Sequence, residues 1–221
     1  MAKDTLILLH GLSKDSEIMQ PLADYCSKYF ETFNSSYAST QYPIEVLADQ
    51  VYQAHKHLFD DQERTMFLVG HSLGGIIIRQ ILHRYSIPNL GRVVMLGTPN
   101  KGSEVARFFK RFKYYQEQFG PAGIELGIYP KGILAALPPA NYELGVVAGK
   151  LSLSDILFSL FLLPGKDDGK VTVESTKLEG MKEHIIVRAT HKRMPHNAKV
   201  MKQALHFLRH GEFEKSTTQR G

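Results

Sequence analysis

The stretch from Met66 to Tyr85 constrains the fold more than any other part of this chain. A short apolar run, Met66–Val69, leads into Gly70-His71-Ser72-Leu73-Gly74, and Gly75–Tyr85 then reads as a helix. A buried strand that turns at once into a helix through G-x-S-x-G is the context in which that pentapeptide has physical meaning. The turn holds Ser72 in a strained backbone conformation at the strand's end, with its hydroxyl clear of the sheet. Gly70 and Gly74 leave room, because a β-carbon at either site would crowd the turn. The helix behind it aims unpaired N–H groups at any negative charge that develops beside Ser72. The competing reading is a glycine-rich strand-to-helix turn without chemistry, and the rest of the chain has to decide between them.

Thr5–Leu9 is apolar without alternation, as expected of a strand buried on both faces in a parallel sheet. It runs into His10-Gly11-Leu12. The spacing then predicts a helix over Pro21–Phe30, with Leu22, Tyr25, Cys26 and Tyr29 on one face, and a strand over Glu31–Tyr37. A second helix is predicted over Pro43–Leu58, with Val46, Leu47, Val51 and His55 along one stripe. After the pentapeptide comes a strand over Gly91–Gly97, ending in Thr98-Pro99-Asn100-Lys101-Gly102-Ser103. This βαβαβαβ order points to a right-handed parallel α/β sheet. Alternation stops between Glu104 and Asn141, which reads as a cap inserted between sheet strands. It resumes with Leu144–Ala148 and His184–Thr190, and Ala198–Arg209 closes the pattern as a helix with Val200, Met201, Leu205 and Leu208 inward. The expected architecture is one α/β domain over residues 1–221, with a reduced, mostly parallel sheet of about six strands, helices on both faces and a short cap at about 104–141.

A serine hydroxyl is a weak nucleophile until a base takes its proton, and the base needs a third group to fix its tautomer and stabilise the imidazolium. In open α/β sheets such groups gather at the carboxyl ends of the strands. Of the late histidines, His184 opens a strand at the wrong end, and His206 and His210 ride the last helix. His191 directly follows the His184–Thr190 strand and is the candidate base, with His196, further into the same loop, as the alternative. For the acid, Gly165-Lys166-Asp167-Asp168-Gly169-Lys170-Val171 is a turn-rich loop. Asp168 is the candidate, Asp167 the second choice and Asp155 an outside one, although Asp-Gly is also an ordinary turn pair. An oxyanion hole needs two backbone N–H groups. Leu73, after the serine, and Leu12, in the loop after the first strand, are the expected donors. His10 is expected to brace that loop, and His71 to point away from the substrate.

Leu-Leu-His-Gly-Leu, Gly-His-Ser-Leu-Gly-Gly, Leu-Gly-Thr-Pro-Asn-Lys-Gly-Ser and Asp-Gly-Lys-Val, with a histidine some way beyond, together resemble the α/β-hydrolase superfamily. Within it the chain is most similar to the bacterial lipase and serine-esterase branch, including triacylglycerol-lipase-like proteins, from Thr5 to about Phe213. The resemblance implies the α/β-hydrolase fold, with Ser72 as nucleophile, Asp168 as acid, His191 as base, and Leu12 and Leu73 as oxyanion donors. It also implies ester cleavage through an acyl-enzyme, without metal or organic cofactor. The same triad serves thioester hydrolysis or acyl transfer, and a non-catalytic binding module on this scaffold is a third class. The antiparallel strands that open larger members are not expected in residues 1–221.

Composition narrows the partners. Hydrophobic residues make up 43% and charged residues 22%, which is globular rather than disordered. The net charge of +5 is scattered and accompanies no nucleic-acid-binding signature, so a small ester or lipid is the expected substrate and nucleic acid is not expected. One cysteine, Cys26, and no apparent signal segment suggest a cytoplasmic setting. The acyl pocket is expected between Glu104–Asn141 and Leu151–Leu163. Arg107–Tyr115 interleaves basic and aromatic residues, which suits either a helix capping the site or peripheral contact with anionic lipid.

Overall fold

The computed structural model describes residues 3–150 and 167–215. Its frame is a six-stranded sheet: β1 (Thr5–Leu9), β2 (Glu31–Ser35), β3 (Met66–His71), β4 (Leu90–Leu96), β5 (Leu144–Lys150) and β6 (Glu183–Arg188). The order is β2-β1-β3-β4-β5-β6 and every pairing is parallel. The sheet expected to be mostly parallel is thus wholly so among the described residues. Parallel order needs crossovers, and helices on both faces supply them. They are α1 (Gln20–Cys26), α2 (Ile44–Ala54), α3 (Lys56–Phe59) and α4 (Leu73–Arg84), then α5 (Glu104–Phe109), α6 (Lys113–Glu125) and α7 (Ile133–Ala136), then α8 (Val173–Thr176) and α9 (Ala198–His210). This is the α/β-hydrolase fold, and α5–α7 occupy the stretch between β4 and β5 that the sequence marks as an insertion.

Period-two geometry explains why the strands are apolar throughout. In β1, Ile7 and Leu9 pack with α2 and α4 on one face, while Leu6 and Leu8 pack with α1 and α9 on the other. Phe207 of α9 is wholly buried in the second layer and packs against the tilted ring of Phe213, centroids 4.9 Å apart.

The helix faces differ from the expected stripes. In α2 the buried residues are Ile44, Leu47, Ala48, Val51 and Tyr52, while Val46 is 38% exposed. Val46 lies off the row that i, i+3, i+4 and i+7 spacing generates. The helix also stops at Ala54. His55 caps it, pairs its Nε2 with Ser35 Oγ at 2.9 Å, and a separate turn, α3, follows. Tyr25 and Tyr29 are exposed, and the Arg209 guanidinium covers the Tyr29 ring at 4.0 Å. In α9 the inward positions are Val200, Ala204, Leu205, Phe207 and Leu208, with Met201 only partly buried. Arg107–Tyr115 is not one helix. It spans the end of α5, a break at 110–112 and the start of α6.

Phe207→Ala should destabilise the protein by about 3–5 kcal/mol, through lost burial and an unfilled cavity under α9. Urea unfolding followed by circular dichroism measures it.

Candidate active site

Ser72 follows the last residue of β3 and precedes α4, with φ 54° and ψ −120°. A residue with a side chain avoids this region, and the surroundings impose it. A β-carbon on Gly70 would lie 2.4 Å from the Gly75 nitrogen, and one on Gly74 would lie 2.3 Å from the Leu9 carbonyl oxygen. Bare backbone at both sites therefore lets α4 start against β3 and β1. The Ser72 N–H donates to the Leu96 carbonyl at 2.9 Å, which ties the turn to β4.

Three loops at the carboxyl ends of the strands complete the site. His191 follows β6 and opens a 3-10 turn, His191–His196. Ser72 Oγ–H donates to His191 Nε2 at 2.9 Å, and His191 Nδ1–H donates to Asp168 Oδ2 at 2.7 Å. The other Asp168 oxygen, Oδ1, accepts from the N–H groups of Lys170 at 3.0 Å and Val171 at 2.9 Å. The His191 N–H donates to the Asp168 carbonyl at 2.8 Å, so backbone and side chain fix the pair together. Ser72, His191 and Asp168 are 8%, 7% and 1% exposed, which withdraws the chain of hydrogen bonds from competing water. Gly97, at φ 55°, ends β4 beside the pair, and a β-carbon there would sit 3.2 Å from His191 Nδ1.

The structure thus brings together Ser72, Asp168 and His191. Asp167 lies beside them but accepts from the Gly169 N–H, 2.7 Å away, and His196 is exposed. Asp155 lies outside the described residues. The loop after β1 passes directly over the serine, with a β-carbon on Gly11 falling 3.1 Å from Ser72 Cβ. Among the described residues neither the Leu12 nor the Leu73 N–H has a turn, loop or cap hydrogen-bond partner. His10 braces this loop as expected: its ring stacks on Tyr37 at 4.1 Å, and its Nε2 accepts from the Tyr37 N–H at 3.2 Å.

His71 is buried, and its Nε2–H donates to the His191 carbonyl at 2.9 Å. Burial, and then the neighbouring His191, hold its pKa well below the usual histidine value, so it stays neutral and acts as a strut. Nothing in the pentapeptide signals this, because the partner is 120 residues away.

The cleft above Ser72 encloses about 640 Å³. Much of its lining is apolar: Val105, Ala106, Phe109, Phe112, Tyr115 and Leu126 come from the inserted segment. Buried Arg79 pins the base of the insertion by donating to the Asn100 and Leu137 carbonyls at 3.3 and 3.2 Å. The Leu151–Leu163 wall expected from sequence lies outside the described residues. Among the described residues no group of three or more His, Cys, Asp or Glu side chains is placed to hold a metal ion.

With this geometry in view, the model of one family, palmitoyl protein thioesterase, matches residues 5–142, a span that contains the serine turn and both expected oxyanion loops. The chain belongs to the palmitoyl protein thioesterase family. Its fold is that of the α/β-hydrolases. No curated protein matches the sequence. Among solved structures, the mature form of a Bacillus licheniformis lipase is similar, with a TM-score of 0.66 and 19% identity over 93% of this chain and 89% of that one. A phospholipase from Legionella pneumophila gives 0.63 and 19%, covering 79% and 46%. A metagenomic carboxyl esterase gives 0.63 and 16%, covering 86% and 65%. At these identities the likeness is one of fold.

Two measurements test this reading of the site. Ser72→Gly should be more stable than Ser72→Ala by about 1 kcal/mol, since only glycine relieves the positive φ. Paired urea titrations compare them. The second concerns pH. The folded-state pKa of His71 lies below its unfolded value of 6.5, so the unfolded chain binds the extra proton. Its contribution to stability is present above 6.5 and is lost as pH falls below it. His71→Gln should flatten the acid side of the curve of urea midpoint against pH.

Proposed function

We propose that the protein cleaves fatty acyl esters or thioesters by nucleophilic catalysis at Ser72. The observation that carries this reading is the unbroken chain Ser72 Oγ–His191 Nε2–Asp168 Oδ2, at 2.9 and 2.7 Å, at the floor of an apolar cleft. His191 takes the Ser72 proton as Oγ attacks the acyl carbon. Asp168, held by two N–H groups, steadies the imidazolium that results. The tetrahedral oxyanion is met by the N–H groups of Leu12 and Leu73, the latter at the N-terminus of α4. His191 then gives its proton to the departing alcohol or thiol. Water, activated by the same imidazole, attacks the acyl-serine, and the acid leaves with Ser72 regenerated. Every proton passes through His191, and the chemistry calls on no metal or organic cofactor.

The shape of the cleft supports an extended acyl chain, because its aromatic and aliphatic side offers hydrocarbon contact and little competing polarity. Family membership favours the thioester and the structural neighbours favour the oxygen ester; the triad itself serves both. Exposed Phe112 and Tyr114 line the cleft, and Arg111 lies over the Phe108 and Phe112 rings at 4.6 and 4.9 Å. This rim suits transient contact with a lipid surface.

Hydrolysis of p-nitrophenyl esters of increasing acyl length, beside acyl thioesters of the same lengths, tests the proposal. Ser72→Ala should lower kcat by about 10⁴-fold or more and Asp168→Asn by about 10⁴-fold, both without loss of fold. Turnover undiminished in Ser72→Ala would refute it.

A further inference from the structure

Three lysines stand around the cleft, each one or two residues beyond a group already described. Lys14 follows Leu12 in the loop after β1, Lys170 follows Asp168, and Lys192 follows His191. All three side chains are accessible, and all three line the cleft that holds Ser72. None of them forms an ion pair among the described residues, as is also true of Lys3, Lys28 and Lys199 elsewhere, but these three are gathered at one cleft. The charge of Asp168 reaches Lys170, but its oxygens are already taken by His191 and two backbone N–H groups. Partial withdrawal of its ammonium from water, then repulsion from Lys14, lowers the pKa of Lys170; Asp168 opposes the shift and Lys192 adds to it. Like charges gathered without a partner repel, and an anion placed among them removes that cost. Phe109, Phe112, Tyr114, Tyr115 and Phe119 line the same cleft. The cleft therefore offers both hydrocarbon contact and cations that have no ion-pair partner among the described residues.

We propose that the leaving group of the substrate carries a phosphate, held by Lys14, Lys170 and Lys192 while the acyl chain lies along the aromatic wall. This rests on the serine-hydrolase reading of the site. A phosphate monoester offers close to two negative charges and three acceptor oxygens, which suits three ammonium groups better than a lone carboxylate does. The bond broken remains the acyl C–O or C–S bond. The phosphate is not transferred and leaves with the alcohol or thiol that receives the His191 proton. Because the lysines are so near the reacting groups in sequence, the phosphate belongs a few bonds from the scissile ester, as in a lysophosphatidate. An acyl-coenzyme A, with its phosphates at the far end of a long carrier, is the other source of the same chemistry.

The test compares kcat/KM for 1-octanoyl lysophosphatidate, octanoyl-coenzyme A and neutral 1-octanoylglycerol, all below their micellar concentrations. It uses the wild type and the triple variant Lys14→Gln, Lys170→Gln, Lys192→Gln. The ratio of lysophosphatidate to octanoylglycerol should fall about 100-fold in the triple variant. Added salt should lower that ratio in the wild type and leave it flat in the variant, a comparison that single lysine variants also allow. A fall confined to octanoyl-coenzyme A would assign the phosphate to the longer carrier. Equal ratios in wild type and variant for both phosphorylated donors would overturn the proposal, while Ser72-dependent cleavage of octanoylglycerol would leave the proposed function standing. Full activity of Ser72→Ala on all three donors would overturn both. Calorimetry with the non-hydrolysable ether 1-O-octyl glycerol 3-phosphate needs no turnover. Binding that weakens in the triple variant supports the assignment, and equal binding contradicts it.

Discussion

Everything at the site depends on how closely backbone approaches backbone around Ser72. The helix α4 can begin where β3 ends only because Gly70 and Gly74 present nothing to the Gly75 nitrogen and the Leu9 carbonyl, at distances where any side chain would collide. That contact forces Ser72 to a positive φ, lifts its hydroxyl out of the sheet and sets the first N–H of α4 beside it. The cost is a strained residue at the centre of the molecule. The buried apolar layers on both faces of the sheet hold it there, since relaxing the turn would separate α4 from β1 and β3.

The second requirement is that a histidine more than a hundred residues away be delivered in one orientation. Two backbone bonds do this: the His191 N–H to Asp168, and the His191 carbonyl from His71. The Asp168 carboxylate is itself held by its own loop. Neutral His71 matters in this arrangement, because a second buried cation beside His191 would oppose the imidazolium that catalysis forms. The strut adds order without adding charge.

Parallel topology also explains why the lysines and the reacting groups coincide. Strands that all point one way end at one edge, and each loop there carries both the residue that reacts and its sequence neighbours. Lys14, Lys170 and Lys192 reach the cleft for the same reason that Leu12, Asp168 and His191 do. The inserted segment supplies apolar lining of the same cleft, and Arg79 anchors its base from inside the core.

The sequence by itself determined the sheet and the serine turn. Unbroken apolar runs such as Thr5–Leu9 can be satisfied only by burial on both faces, and Gly-His-Ser-Leu-Gly between a strand and a helix has few other solutions. It also placed Asp168, His191 and Leu12 in loops at strand ends, because local pattern fixes which end of a strand a residue occupies. Tertiary structure decided what pattern cannot encode. The stripe of α2 excludes Val46 because packing against α4, and not hydrophobicity alone, selects the buried face. His71 became a strut because its partner arrives from the last strand. The choice between Asp168 and Asp167 turned on which carboxylate meets His191, a distance in space that spacing along the chain does not contain. The three lysines, scattered in sequence among other charges, became one cationic rim only when three loops were brought to the same edge.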